Sequence, residues 1–294
     1  MSMELKILRL DDRVIELRTK GFPLPLLNLI RRYALAKVPS IAVDEVVVIV
    51  NTSILFDEVL AHRLAMVPLR SEEAIQRFKA MGIDPEICEK CSSASEEEKP
   101  PEDVCKKCFI YMRLEAEALD RELTVYSGDI VSDDKDVEPV YKNIPIVVLA
   151  PGQKILLELR ARPGRGLEHA KWSPATVAVV RYLVDFQLIE DLCTHCGKCA
   201  EVCPRGLIEI VNGVPRVKNP DECIACKQCV MNCPTKAIEI VPRQDEYVLM
   251  IESSGVMRPS TIVRESLEIL LKELDQISQK VSKWVSEKRV GEAR

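Results

Sequence analysis

The chain has 294 residues and a net charge of −5, with 30% charged, 47% hydrophobic and only 4% aromatic residues. That length suits about two domains with aliphatic cores, and the acidic balance argues against a general electrostatic grip on nucleic acid, which needs a basic surface. No apolar run nears the ~18 residues of a membrane span, and Met1 to Lys6 lacks the basic and apolar regions of a signal peptide, so a soluble cytoplasmic protein with no membrane partner is expected.

Residues 3 to 20 alternate loosely and end in a strand-like run, Val14 to Arg18, before Gly21. Pro25 suits a first helical turn. The apolar segment Leu26 to Val38 then reads as a helix with Leu26, Leu29, Ile30 and Tyr33 on one face, stopped by Pro39. Ile41 to Val50 is rich in β-branched residues and reads as a strand, and Asp57 to Met66 reads as a helix. From Asp84 to Asp103 the chain turns acidic and proline-rich, and Ser92 to Pro101 reads as loop. Ile110 to Glu117, Ile144 to Leu149 and Lys154 to Arg160 follow as strands, with a turn expected over Arg162 to Gly166. Thr176 to Val184 and Tyr247 to Ile251 are further strands, and Pro259 opens a last helix. In that helix Val263, Leu267, Leu270, Leu274, Ile277, Val281 and Trp284 alternate steps of four and three, an a/d seam that serves either its own domain or a partner helix.

All twelve cysteines lie in groupings of the C-x-x-C type. A secretory disulfide protein would be smaller and scatter them, so thiolate metal sites in a reducing compartment are expected. Eight fall twice into C-x2-C-x2-C-x3-C-P, as Cys193, Cys196, Cys199, Cys203, Pro204 and as Cys223, Cys226, Cys229, Cys233, Pro234. This is the bacterial-ferredoxin pattern for two [4Fe–4S] clusters, in which the fourth cysteine of each run ligates the other cluster. One cluster is therefore assigned to Cys193, Cys196, Cys199 and Cys233, the second to Cys223, Cys226, Cys229 and Cys203. A bound cluster leaves no vacancy for His195, which is read as a surface residue or hydrogen-bond donor. Cys88, Cys91, Cys105 and Cys108 have the form of a tetrathiolate site, for which zinc is favoured over paired disulfides or free thiols. No glycine-rich nucleotide motif follows a strand, and the three histidines, His62, His169 and His195, fit no catalytic set.

The segments outside the cysteines resemble the α-like subunits of RNA polymerase, in particular their archaeal D branch. Leu27 to Arg32, Val38 to Glu45, Asn51 to Glu58, Leu60 to Leu64 with Val67 to Leu69, Gly166 to Pro174, and Tyr247 to Gly255 carry the resemblance over residues 5–285. It implies an α+β fold with a discontinuous dimerisation domain (1–42, 175–187 and 244–294), an inserted β-rich domain with the zinc-like site (43–174), and a ferredoxin-like iron–sulfur domain (188–243). It implies that Leu26 to Lys37 and Val263 to Trp284 pair with the small α-like subunit L, and that this heterodimer seeds assembly of the large catalytic subunits. Arg31, Arg32, His62 and Arg63 then sit in motifs that face other subunits or fix the fold. DNA is met only through the complex, and no catalytic residue is expected in this chain. The clusters are read as structural first and redox-sensitive second. The rival readings are a ferredoxin-type electron carrier fused to a scaffold and, more weakly, a zinc-bound nucleic-acid module.

Overall fold

In the computed structural model, which describes residues 3–93, 95 and 98–292, strands β1 (Glu4–Leu10) and β2 (Val14–Lys20) precede helix α1 (Leu24–Ala36). Strand β3 (Pro39–Asn51) leads into α2 (Asp57–Ala65), α3 (Glu72–Ala80), α4 (Pro85–Ser93) and α5 (Glu102–Cys108). Then come β4 (Ile110–Glu117), β5 (Leu123–Tyr126), β6 (Val131–Ser132), β7 (Pro145–Leu149), β8 (Lys154–Arg165) and β9 (Ala175–Leu188). The cysteine runs carry α6 (Lys198–Glu201), β10 (Ile208–Val211), β11 (Val214–Val217) and α7 (Gln228–Met231), and the chain ends with β12 (Ile238–Ser253) and α8 (Pro259–Glu292). No helix among the described residues is long and apolar enough to cross a membrane. The architecture is α+β, with a β-rich insert and a ferredoxin-like region.

The chain divides into two compact units. One comprises Met1–Arg9, Glu16–Leu29 and Val179–Met250; the other comprises Leu10–Ile15, Ile30–Ala178 and Ile251–Arg294. The first holds most of a four-stranded sheet of order β1-β2-β12-β9, together with the cysteine runs and the β10-β11 hairpin. The second is built on the sheet β3-β8-β4-β6 and the smaller pair β5-β7.

In the second unit β4 shows why it is a strand. Ile110, Met112 and Leu114 are buried while Tyr111, Arg113 and Glu115 are exposed, the two-residue period of a half-buried strand. It pairs antiparallel with β8, and β8 with β3, around a core that includes Leu60, Leu64, Leu157 and Leu159.

One expectation is corrected here. The turn expected over Arg162 to Gly166 is instead the end of β8, where Gly164 pairs with Ser40 of β3. Its glycine serves the close approach of Trp172, because a Cβ there would lie 2.5 Å from the indole ring. The loop expected over Ser92 to Pro101 lies between α4 and α5 except that Ser92 and Ser93 end α4; Ala94, Glu96 and Glu97 lie outside the described residues. In α1 the buried stripe is Leu27, Ile30, Tyr33 and Ala34, with Leu26 and Leu29 half-buried beside it.

Helix α8 is held at its start. The Glu72 carboxylate accepts the Arg258 backbone N–H at 2.9 Å, the Arg258 guanidinium at 2.6 Å and the Thr261 hydroxyl at 2.8 Å. Burial pushes the Glu72 carboxyl up, but these bonds outweigh it and hold it below its usual range. Further along, Lys79 binds Glu265, and Lys37 and Tyr33 donate to Glu273 at 2.6 Å each. Leu270 of the a/d seam is only 8% exposed and packs within its own unit, whereas Leu271 is exposed. Beyond Glu273 every residue from Leu274 to Val285 is exposed.

Candidate metal centres

Within the first unit the eight cysteines of the repeated runs are all unpaired. Cys193, Cys196 and Cys199 line one pocket together with Cys233, and Cys223, Cys226 and Cys229 line another together with Cys203. Each run therefore closes one pocket with three sulfurs and sends its fourth to the other.

The backbone repeats with the sequence. Positive φ angles occur at His195 and Ala225, at Gly197 and Lys227, and at Gly206 and Lys236, each pair in equivalent positions of the two runs. A left-handed residue turns successive N–H groups towards one concavity, the arrangement that favours anionic groups such as iron–sulfur cores. Four of the six are not glycine. Holding them there costs on the order of 1 kcal/mol each, which the surrounding structure must offset.

The sulfurs are poised for a cation. Burial pushes the Cys199 and Cys229 thiols up, and the neighbouring sulfurs of each run push further the same way. Burial also raises Cys233, but N–H groups and the Thr235 hydroxyl outweigh it and hold that thiol below its ordinary range. Four soft thiolates crowded against apolar walls repel one another and are poorly hydrated, and a metal core relieves both penalties. The donor set of each pocket thus fits a [4Fe–4S] cluster.

The centres are fastened to the sheet of their own unit by Asp221, two residues before Cys223. Its carboxylate accepts Arg18 Nη1 at 2.7 Å and Arg243 Nη1 at 2.9 Å, while its carbonyl accepts Arg181 Nη1 at 2.8 Å. Arg243 also donates to Asp185 at 2.8 Å, and Arg18 to Glu246 at 2.8 Å. The His195 side chain is exposed, with Nδ1 2.8 Å from the Gly213 carbonyl oxygen, which ties the first run to the β10-β11 turn.

In the second unit the other four cysteines lie on α4 and α5, buried in the core. They depart from the expected zinc site, because Cys88 is joined to Cys108 and Cys91 to Cys105 as disulfides. The cause is local. Cysteines three apart on a helix share one face, so two such faces packed together bring the sulfurs into pairs. Closing loops of this length contributes about 3 kcal/mol per bond in the chain-entropy account. Nearby, Arg165 donates to Asp84 at 2.9 Å and Glu86 at 2.6 Å, and Lys171 to Asp44 at 2.9 Å. Arg162, buried over Trp172, donates to Asp44 at 2.7 Å and Glu168 at 3.0 Å. The basic residues of the Gly166 to Pro174 motif region are therefore engaged within the unit. Arg63 donates to the Pro145 carbonyl at 2.6 Å.

Sequence reading missed Asp221, Arg18, Arg243 and Thr235. Alignment of the two cysteine runs is enough to expose Thr235, since its counterpart is Arg205. The Arg18–Asp221 pair spans 203 positions and leaves no local signal.

Comparison with known proteins gives two family matches. The RNA polymerase Rpb3/RpoA insert domain matches residues 47–185, and a 4Fe-4S dicluster domain matches residues 186–234. The DNA-directed RNA polymerase subunit Rpo3 of Archaeoglobus fulgidus is 37% identical over 279 residues, covering 95% of this chain and 98% of the relative. Its namesake in Methanothermobacter thermautotrophicus is 34% identical, covering 94% and 97%. That in Pyrobaculum calidifontis is also 34% identical, covering 89% and 91%.

Proposed function

We propose a function from one premise: the chain belongs to the family of archaeal DNA-directed RNA polymerase subunits Rpo3. It acts as a non-catalytic assembly subunit, in residence with other polymerase subunits in the cytoplasm. Its partner is the small α-like subunit L, and the pair forms the platform on which the large subunits assemble. DNA is contacted only through the complex. The dimerisation domain is assigned to residues 1–42, 175–187 and 244–294, the insert to 43–174 and the iron–sulfur domain to 188–243.

One observation carries the partner assignment. From Leu274 to Val285 α8 continues as helix with no buried residue, yet Leu274, Ile277 and Val281 keep it apolar on one side. An isolated helix of that length is marginal in water, and an unpaired apolar face of that kind marks an interaction site. A small subunit with a matching helix supplies the missing wall.

The iron–sulfur domain binds two [4Fe–4S] clusters, one through Cys193, Cys196, Cys199 and Cys233, the other through Cys223, Cys226, Cys229 and Cys203. When bound, the clusters supply cross-linking between the runs and the capacity for one-electron exchange. The protein orients the eight sulfurs, donates N–H groups to them and keeps water from the apolar walls. Because each run serves both clusters, cluster loss unties the domain as a whole, which makes its order sensitive to oxidation. The sulfurs of Cys88, Cys91, Cys105 and Cys108, once reduced, form the ligand set for one zinc ion.

Anaerobic co-expression with subunit L tests the reading. A stable heterodimer carrying about eight iron atoms per copy, four for each cluster, is expected. A chain that stays monomeric beside subunit L overturns the assembly role, and a chain that exchanges electrons reversibly with a soluble donor while pairing with nothing favours the electron-carrier alternative.

A further inference from the structure

The two pockets come from repeated runs, so a difference between them stands out against a shared background. Their backbones turn at equivalent positions, and each includes one lysine, Lys198 in the first and Lys227 in the second. Two positions after the fourth cysteine, however, the first run has Arg205 and the second has Thr235.

Arg205 is exposed and lines neither pocket. Thr235 is half-buried and lines the pocket of Cys193, Cys196, Cys199 and Cys233, with Oγ1 3.8 Å from Cys233 Sγ. A metal-bound cysteine has lost its proton, so the threonine hydroxyl is then the donor and the sulfur the acceptor. Cys233 Sγ also accepts the Ala237 N–H at 3.2 Å, where Cys203 Sγ accepts the Leu207 N–H at 3.4 Å. Thr194 and His195 add polar lining to the same pocket. The opposite pocket is walled by Val184, Phe186, Leu207, Ile208, Val217 and Ile240. Its one neutral polar side chain, Gln228, has its amide oxygen 3.3 Å from the Asn232 amide nitrogen.

We propose that Thr235 makes the two centres unequal, setting the cluster of Cys193, Cys196, Cys199 and Cys233 at the higher reduction potential. One-electron reduction adds a negative charge that spreads onto the sulfurs. A hydroxyl donated to a ligating sulfur stabilises that charge, as N–H donors do, whereas an apolar wall opposes it. The first electron therefore enters the Thr235 centre and the second enters the apolar one. Thr235 acts through Cys233, as a tuning residue.

This inference rests on the cluster-binding reading above, and one experiment separates the two. The full chain, purified anaerobically, is assayed for iron and titrated with dithionite through redox mediators, which supply one electron to each cluster, while the reduced clusters are followed by electron paramagnetic resonance. Two waves are expected. Thr235→Val, which keeps the shape and removes the hydroxyl, lowers the higher wave and leaves the lower one in place. Thr235→Ser restores the higher wave. Arg205→Thr, which places a hydroxyl at the equivalent position of the other centre, raises the lower wave. If Thr235→Val holds its full iron and moves neither wave, or moves the lower one, the proposal is overturned. Iron far below eight in the unaltered chain overturns the cluster reading, and this inference with it.

Discussion

The exposed half of α8 allows the partner interface to be probed without disturbing the chain itself. Leu274 and Ile277 are 52% and 59% exposed, so about half of each side chain is still available for burial. Fully burying a leucine or isoleucine contributes about 1.5–3 kcal/mol, which leaves about 1–1.5 kcal/mol for each side chain at an interface. Leu274→Ala with Ile277→Ala is therefore expected to weaken pairing with subunit L by about 2–3 kcal/mol, or about 30–150-fold in Kd. Alanine is the strongest helix former, so α8 keeps its helicity and the chain alone keeps its unfolding midpoint. Isothermal titration of the double variant against purified subunit L measures the first effect and thermal unfolding of the separate chain the second. A Kd within about threefold of the unaltered chain would show that this face is not the contact.

Three further outcomes follow from the packing. A Cβ at Gly166 would lie 2.1 Å from the Leu35 carbonyl oxygen, and because the obstacle is backbone it cannot swing aside. Gly166→Ala is expected to cost about 3 kcal/mol, the upper range for overpacking, read as a lower midpoint in urea; an unchanged midpoint contradicts the close approach. Glu72→Gln removes a carboxylate whose folded-state pKa lies below the ordinary value of 4.5. A depressed pKa gives stability that is present above the unfolded value and lost as pH falls through the folded one. The unaltered chain should therefore exceed the variant by about 1–2 kcal/mol at pH 7, with the gap closing below about pH 4.5; fluorescence-monitored urea unfolding at several pH values measures it, and a gap independent of pH refutes the linkage. Asp221→Ala leaves Arg18 and Arg243 without the carboxylate that anchors the loop before Cys223. Half-exposed ion pairs contribute about 0.5–1 kcal/mol each, so a ferrous chelator should remove iron from the holo chain several times faster, and equal release rates would exclude Asp221 as a fastening.

The parts legible in the sequence were those fixed by local chemistry. The cysteine spacing announced the eight sulfurs that line the two pockets, because three thiolates meant to surround one iron–sulfur core demand a short, turning loop. The alternation from Ile110 to Glu117 announced β4 because a half-buried strand leaves that period. What escaped was decided at a distance. Pro163 and Gly164 carry turn chemistry, yet the indole of Trp172 overrides it and the glycine serves close packing inside β8. The acidic, proline-rich stretch after Asp84 gave no periodicity that marked α4 and α5, whose inner faces are supplied by the buried Cys88, Cys91, Cys105 and Cys108. The a/d period of α8 was legible, but not how it divides: Leu270 is buried in its own unit while Leu274, Ile277 and Val281 on the same face are exposed, and spacing alone gives no sign of that boundary.

That boundary has a consequence for assembly. A helix is costly to nucleate and cheap to extend. The first half of α8 is nucleated by burial of Ile262, Ser266 and Leu270 and by the bonds of Glu72 and Glu265. A further fastening is Glu273, whose carboxyl is held below its usual range by hydrogen bonds from Lys37 and Tyr33. From there the helix needs only propagation to reach Val285, and the packed half sets which side faces outward. A partner meeting Leu274, Ile277 and Val281 finds them already on one face, so association is spared most of the 1–2 kcal/mol per residue, roughly, that ordering a disordered tail would cost. Cutting the fastening at Glu273 should then weaken partner binding even though Glu273 lies off the apolar stripe. The expected sign is a loss of affinity for Glu273→Ala, accompanied by a loss of helical circular dichroism from the separate chain. Lost affinity with full helicity would mean instead that Glu273 touches the partner directly.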